Sequence, residues 1–171
     1  MSTAAIEVPT EEITRRLTSA IGASRQRLND PALPTGPGVY ALFHIGIHTV
    51  YPASTEQPIY IGKAQAIRYR LRTHYRSLTQ AVDLDAGGFL VAAIPVNGSA
   101  VASLCEELLI ERFQPVWNEP PLRGFGSRPQ GARRTSQTPS PWDRLHPGRT
   151  WVSSGRPAPC PELQRLAKTY R

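Results

Sequence analysis

The sequence contains few cysteines and no long hydrophobic run. No stretch reaches the 18 consecutive apolar residues that suggest a membrane-spanning helix. Its two cysteines, Cys105 and Cys160, have no second cysteine near either of them, which excludes a disulfide framework and a cysteine-based zinc site. The amino terminus reaches acidic residues within seven positions, unlike a secretory signal. We therefore expect a soluble, cytoplasmic protein with free thiols.

Length and charge predict one compact domain with a basic extension. A chain of 171 residues is long enough for one core but short for two complete domains. The net charge of +7 is unevenly distributed: residues up to Pro120 carry ten basic and eleven acidic side chains, and the remainder carries ten and two. The basic excess therefore lies in the last third of the chain.

Arginine dominates the basic residues. Of the 20 basic side chains 18 are arginine, whose planar group can bind a phosphate or the edge of guanine with two hydrogen bonds. This composition favours a nucleic-acid partner. A GC-rich genome, or a basic tail that only aids solubility, would also explain it.

Hydrophobic spacing predicts a helix and two strands in the first 64 residues. Ile13, Leu17 and Ile21 recur every fourth residue, which indicates an amphipathic helix over Thr10–Leu28, either peripheral or at a dimer contact. Turn residues then lead into a strand at Val39–Phe43. His44–Gln57 is either an irregular strand or a loop before the strand in Pro58–Ala64, so we expect an antiparallel hairpin.

A helix, a strand and a second helix complete the predicted core. From Ala66 onward, helical spacing recurs in a basic segment at Ile67, Leu71, Tyr75 and Leu78. Gly87–Val96 indicates a buried strand. Ser99 is the expected cap of the next helix, whose inner side we assign to Val101, Leu104, Cys105, Leu108 and Leu109. This order predicts an α/β sandwich with a three-stranded, mostly antiparallel sheet, complete by about Asn118.

The remaining residues predict an arm rather than a second core. Leu122–Pro141 is rich in glycine, serine, proline and arginine and lacks apolar periodicity. Pro141–Val152 contains two tryptophans and is expected to dock on the core, and a short helix is expected from Pro161. We divide the chain into a helical extension (1–34), a core (35–120) and an arginine-rich extension packed on that core (121–171).

Several unusual polar residues fall where the predicted core would bring them together. Tyr40 and Tyr60 lie on neighbouring strands, Arg70 and His74 are one helical turn apart, and Glu106 and Asn118 belong to the last helix and its end. Each has an ordinary explanation by itself, since strand tyrosines usually pack and helical histidine and glutamate usually face solvent. Together they form a candidate site.

These segments resemble the GIY-YIG nucleases over Gly38–Asn118. The motif elements are "GVY" ending at Tyr40, "YIG" beginning at Tyr60, "IRYRLRTH" with Arg70 and His74, and "EELLIERFQPVWN" with Glu106 and Asn118. The resemblance implies a small GIY-YIG core flanked by helices, with an N-terminal helix and a C-terminal basic arm. The interval between Tyr40 and Tyr60 is longer than in typical members.

The resemblance also implies roles for these residues in phosphodiester hydrolysis. Glu106 would bind one Mg²⁺ per active site, with Mn²⁺ able to substitute, and Arg70 would stabilise charge on the phosphate. Tyr40 would be the general base, as a phenolate or through His74, and Tyr60 would orient the water or the phosphate. Asn118 would hold the phosphate or anchor the helix end. Gly62 would let the backbone approach DNA, and Lys63 would contact a phosphate at the rim.

The carboxy-terminal segment narrows the expected biology. "SPWDRLHPGRTWV" resembles the tail of small type II restriction endonucleases of this family that cut CCGCGG. That resemblance implies double-stranded DNA as substrate, a homodimer on a palindrome, and a cognate DNA methyltransferase as functional partner. A non-restriction nuclease and a catalytically silent DNA-binding protein are the alternatives. The expected DNA-binding arginines are Arg123, Arg128, Arg133, Arg134 and Arg149.

Overall fold

The fold is a four-stranded antiparallel sheet between two layers of helix and loop. In the computed structural model, the described residues are 7–46, 48, 50–51, 56–120, 122–126, 139–149 and 165. The elements are α1 (Thr10–Ala23), β1 (Gln26–Arg27), β2 (Gly38–His44), β3 (Tyr60–Ala64), α2 (Ile67–Gln80), β4 (Phe89–Pro95), α3 (Ser99–Phe113) and α4 (Pro141–Leu145). The sheet order is β1-β4-β2-β3, and every neighbouring pair is antiparallel. The predicted mixed α/β class is confirmed, with one strand more than expected.

The central strand β2 is buried on both faces. All seven of its residues are buried, because side chains that alternate along a strand here meet a packed layer on either side. Val39, Ala41 and Phe43 pack toward α1 and α3. Tyr40 and Leu42 pack toward α2 and the carboxy-terminal segment. The continuous apolar run in the sequence follows from this double burial.

The first helix ends earlier than predicted. The helix expected over Thr10–Leu28 stops at Ala23, since Ser24 is extended and Gln26–Arg27 form β1 against β4. Leu28 is buried after the strand, so its apolar character reflects core packing rather than continued helical periodicity. This short edge strand is the one that the sequence pattern missed.

The start and the inner face of α3 also differ from the prediction. Gly98 occupies the N-cap position with φ of 98°, a left-handed conformation that suits glycine, and Ser99 is the first helical residue without a capping bond. Ala102, Cys105 and Leu109 form the buried side, whereas Val101 is exposed. Apolar residues occur around most of this helix, so their spacing does not define one face.

The segment after the core contributes directly to the same hydrophobic core. Leu122, Phe125, Trp142 and Leu145 are buried in the cluster that contains Tyr40, so the docking expected near Trp142 is confirmed among the described residues. Helix α4 begins after Ser140, whose hydroxyl accepts the Asp143 backbone N–H at 3.2 Å. The helix predicted from Pro161 lies outside the described residues, apart from Arg165, which is helical.

Further features of the described part of the chain concern the segment after β2, membrane spanning and the thiols. Of the segment His44–Gln57, expected as an irregular strand or a loop, His44 ends β2 and the other described residues form no strand. Val50 and Tyr51 are buried. None of the helices among the described residues is both long enough and apolar enough to cross a bilayer. Cys105 is a buried free thiol, and Cys160 falls outside the described residues. The three-part division of the chain stays a prediction.

Candidate active site

A buried tyrosine and histidine form the centre of the site. Tyr40 on β2 and His74 on α2 are 1% and 0% exposed, and the Tyr40 hydroxyl lies 2.8 Å from His74 Nε2. Arg70, one helical turn before His74, donates from Nε to the same hydroxyl at 3.4 Å. The sheet and α2 therefore bring together three of the residues singled out in the sequence.

Tyr60 completes this cluster from the neighbouring strand. Its ring lies 6.2 Å from the Tyr40 ring and 5.6 Å from the His74 ring, centroid to centroid. Gly62 pairs with Tyr40 across the strands, and a Cβ atom at Gly62 would lie 2.6 Å from the Tyr40 hydroxyl oxygen. Glycine at this position therefore makes room for the two phenols. Whether it also lets the backbone approach DNA stays a prediction.

Glu106 on α3 faces β3 beside the tyrosines. Its Oε1 accepts the Lys63 backbone N–H at 3.1 Å, and its Oε2 forms an ion pair of 2.8 Å with Lys63 Nζ. Its side chain is 18% exposed, so solvent and small ions can reach it. Its negative charge contributes to the raised pKa values of Tyr40 and Tyr60, behind burial, which is the main cause. The carboxylate therefore lies close enough to the two phenols for its charge to act on them.

Asn118 holds β3 in place. Its side-chain oxygen accepts the Ile61 N–H and its amide donates to the Ile61 carbonyl, each at 2.8 Å. Both polar groups of the amide are thereby used on the backbone between Tyr60 and Gly62. In this geometry Asn118 anchors the strand rather than the helix end, and its expected contact with a phosphate stays a prediction.

Burial keeps the central groups uncharged. It raises the pKa of Tyr40, and it raises that of Tyr60 in the same way, while Arg70 opposes both shifts. Burial together with the charge of Arg70 lowers the pKa of His74 to about 3. The backbone of Phe125 lies close enough to oppose this shift, although Nδ1 makes no hydrogen bond of good geometry among the described residues. At neutral pH Tyr40 is therefore an uncharged phenol and His74 a neutral imidazole.

The donor set fits a hard divalent cation at Glu106. One accessible carboxylate suits Mg²⁺, which keeps several waters and uses few protein ligands. The backbone N–H of Lys63 orients Oε1, and a flexible amine that is 44% exposed covers Oε2. An ion would bind at Oε2 by displacing or sharing the position of Lys63 Nζ.

Of the basic residues singled out for DNA, only some occupy a suitable position. Arg123 is exposed, and Lys63 is exposed but paired with Glu106. Arg149 is 4% exposed and forms two bonds to buried Asp143, at 2.6 and 2.8 Å. The prediction that Arg149 reads DNA is therefore wrong, because its guanidinium is used inside the protein. Arg128, Arg133 and Arg134 lie outside the described residues.

Sequence reasoning missed one residue of the site wall. Phe125 is fully buried, stacks on Tyr60 with ring centroids 5.9 Å apart, and lies 5.7 Å from His74. The Gly126 carbonyl beside it accepts from Ser77 Oγ at 2.9 Å and from Arg149 Nη1 at 2.8 Å. A phenylalanine between two glycines, within an otherwise polar arm, was the available signal.

The family comparison covers the part of the site that α2 and α3 supply. The model of the Eco29kI GIY-YIG domain matches residues 64–167, more than half of the chain. The chain belongs to the Eco29kI GIY-YIG family. The matched range begins at the end of β3 and continues past α4, so this GIY-YIG protein shares with its family the segment beyond the core as well as α2 and α3.

This GIY-YIG protein is similar to two curated proteins, over about half of its own length in each case. It is 39% identical to "Excinuclease cho" of Escherichia coli K12 over 95 residues, which are 56% of this chain but 28% of that protein. It is 33% identical to "UvrABC system protein C" of Chlorobium luteolum over 91 residues, 51% of this chain and 13% of that protein. The chain therefore matches under a third of the length of these relatives.

A solved structure gives a weaker likeness. The N-terminal endonuclease domain of UvrC from Thermotoga maritima, described as bound to its catalytic divalent cation, magnesium, is 25% identical to this GIY-YIG protein. The aligned part covers 64% of this chain and 98% of that domain, with a TM-score of 0.37. At that TM-score the fold assignment depends on the sheet topology described above and on the family match.

Proposed function

We propose that this protein is a Mg²⁺-dependent type II restriction endonuclease that hydrolyses double-stranded DNA at a GC-rich palindrome, with CCGCGG as the first candidate site. The observation that carries this proposal is the extent of the family match, which runs through the carboxy-terminal segment to residue 167. The catalytic part is supported by the cluster of Tyr40, Arg70, His74 and Glu106 beside one strand.

Glu106 would hold the ion, which would supply charge neutralisation at the phosphate and a lowered pKa for a bound water. Lys63 Nζ, released from Glu106, would then be free to contact a phosphate oxygen at the rim. The backbone N–H of Lys63 keeps the carboxylate oriented in either case.

Tyr40 and His74 would together remove the proton of the attacking water. Because the pKa of buried Tyr40 is raised, a preformed phenolate is disfavoured, which supports the route through His74. Tyr40 Oη would accept the water proton while its own proton passes over 2.8 Å to His74 Nε2, which is neutral and, with a pKa of about 3, would hold that proton only transiently. As the water oxygen bonds to phosphorus, the bond to O3′ would break, and O3′ would take a proton from solvent water, to which His74 would return its own proton through Tyr40.

Arg70 and Tyr60 would bind the reacting phosphate. Arg70 is half-buried beside the Tyr40 hydroxyl, so its guanidinium can donate to phosphate oxygens as negative charge develops. Tyr60 is held by Phe125 on one side and by the Tyr40 and His74 rings on the other. A fixed phenol at this position would orient the phosphate or the water.

Recognition would use the arginine-rich extension in a homodimer. A twofold dimer presents the same surface to each half of a palindrome, and α1 or the loop after β2 would supply the contact. Arg123, two residues before the wall residue Phe125, is the exposed member of the predicted DNA-binding arginines among the described residues. A DNA methyltransferase of the same specificity would be needed to protect host DNA.

A second function has its own support. The identity of 39% to "Excinuclease cho" over 95 residues is consistent with a nuclease that nicks DNA without reading a palindrome. Such an enzyme would need the same catalytic cluster. Only its pattern of cleavage would differ.

One digestion separates these functions. Purified protein is incubated with supercoiled plasmid and Mg²⁺, and the ends of the products are sequenced. Fragments whose ends share one recurring sequence support restriction. If each cut maps to a CCGCGG sequence in the plasmid, CCGCGG is supported as the recognition site. Nicks or ends without a common sequence favour the repair-type nuclease, and retardation of the plasmid on a gel without cleavage would overturn both in favour of a DNA-binding protein.

A further inference from the structure

Two histidines and an aspartate from distant segments meet outside the catalytic cluster. His48 lies in the loop after β2, Asp83 follows α2, and His146 follows α4. One ligand atom from each lies within 4.8 Å of the other two. None of the three belongs to the catalytic cluster or was singled out in the sequence.

The distances among these atoms fit a small tetrahedral ion. Asp83 Oδ2 lies 2.8 Å from His146 Nδ1 and 3.7 Å from His48 Nε2. Nitrogen and oxygen ligands about 2.0–2.1 Å from Zn²⁺ in a tetrahedron are roughly 3.3 Å apart. The two observed distances lie on either side of that value. If these ligand atoms moved by about half an ångström, they would occupy three of the four positions of a tetrahedral site.

The ligand types select the metal. Two imidazoles and one carboxylate suit Zn²⁺, whereas Mg²⁺ and Ca²⁺ prefer oxygen ligands alone. The Asp83 side chain is 35% exposed and that of His48 is 17% exposed, which gives an ion a path from solvent. The His146 side chain is wholly buried, so it fixes the inner side of the site.

A second layer of contacts already orients the inner ligand. The Tyr51 hydroxyl lies 2.8 Å from His146 Nε2, and the two rings stack with centroids 5.6 Å apart. With the metal on Nδ1, the ring proton would sit on Nε2 and donate to the Tyr51 oxygen, as ligating histidines commonly do. His48 would exchange a long contact, 3.3 Å from the Val50 N–H to its Nδ1, for the metal at Nε2.

We propose that His48 Nε2, a carboxylate oxygen of Asp83 and His146 Nδ1 form a Zn²⁺ site whose fourth ligand is water. The site joins the long loop after β2, the turn after α2 and the carboxy-terminal segment. Its role is structural: it fastens the loop and the segment to the core. It is independent of the nuclease activity proposed above.

The test uses untagged full-length protein stripped of metal with a chelator. Zn²⁺ is titrated by calorimetry with Mg²⁺ in excess, and thermal unfolding is followed with Zn²⁺ or with chelator. Asp83→Asn keeps a hydrogen-bond acceptor for His146 but removes the charged ligand, and His48→Gln removes the outer imidazole. Both sites are partly exposed, so both variants should fold, and melting in chelator verifies that. Glu106→Gln is the matched control for metal binding at the catalytic carboxylate.

We expect one Zn²⁺ per chain and, at a hundredfold excess over the dissociation constant, a rise in Tm of about 5 °C or more. Asp83→Asn and His48→Gln should each weaken binding at least tenfold and abolish that rise, and Glu106→Gln should behave as wild type. Co²⁺ in place of Zn²⁺ should give the visible absorption of a tetrahedral site. Absence of binding, or binding that survives both substitutions, would overturn the proposal and leave a hydrogen-bonded cluster.

Discussion

The buried pair of His74 and Tyr40 makes the stability of this protein sensitive to acid. His74 is 0% exposed and its pKa in the folded protein is about 3, against an ordinary value of 6.5 for histidine. Between those values the unfolded chain binds a proton that the folded chain does not, so stability falls as pH falls below about 6.5. At 1.36 kcal/mol per unit of pKa difference, the full effect is roughly 4–5 kcal/mol, of which about 2 kcal/mol is lost between pH 7 and pH 5.

His74→Gln tests this value, because glutamine does not titrate and can still bond to the Tyr40 hydroxyl. Urea unfolding followed by tryptophan fluorescence, at pH 7, 6 and 5 and constant ionic strength, gives the unfolding free energy of both proteins. Wild type should lose about 2 kcal/mol more than the variant over this range. His44, whose pKa is lowered to about 4 chiefly by burial, contributes equally to both proteins and cancels in the difference. Equal losses in the two proteins would refute the assignment of His74 as a buried neutral imidazole.

Three further substitutions probe the site and its support. Gly62→Ala places a methyl group 2.6 Å from the Tyr40 hydroxyl oxygen, so single-turnover DNA cleavage should fall at least tenfold while DNA affinity in a gel-shift assay stays near wild type. Tyr40→Phe removes the hydroxyl bonded to His74 and should lower the cleavage rate by about a hundredfold or more without a change in Tm beyond a few degrees. Arg149→Ala leaves Asp143 buried and unpaired and should cost about 3–5 kcal/mol in urea unfolding, whereas a loss of DNA affinity with unchanged stability would contradict the structural role.

Alternation and helical spacing predicted most of the core correctly. The short apolar runs of β2 and β4 are typical of buried strands. The spacing of apolar residues in α2 is typical of an amphipathic helix. The start of α3 was predicted one residue too late. The N-cap is Gly98, in the left-handed conformation, rather than Ser99, and both glycine and serine are common N-cap residues. The two-residue strand β1 could not be predicted, since its only signal is its pairing with β4.

The candidate site residues were singled out by motif, but their partners were not. The side chains of Tyr40, His74 and Arg70 lie within hydrogen-bonding distance because of the order of the strands and the helix that carry them, and the sequence predicts that order. The roles of Asn118 and Arg149 depend on contacts with Ile61 and Asp143, which only folding brings close. From the sequence, an arginine in a basic segment is expected to contact DNA. Only the structure shows that a buried carboxylate lies beside it.

The account depends most on Glu106 as the carboxylate that holds a divalent cation next to Tyr40, Arg70 and His74. Cleavage of supercoiled plasmid is measured with Mg²⁺ for wild type, Glu106→Gln and Glu107→Gln, the last being the exposed neighbour on α3. Glutamine at position 106 can still accept the Lys63 N–H, so the fold should be kept. The account predicts Mg²⁺-dependent cleavage by wild type and Glu107→Gln and at least a hundredfold slower cleavage by Glu106→Gln. Cleavage by Glu106→Gln at the wild-type rate would contradict it.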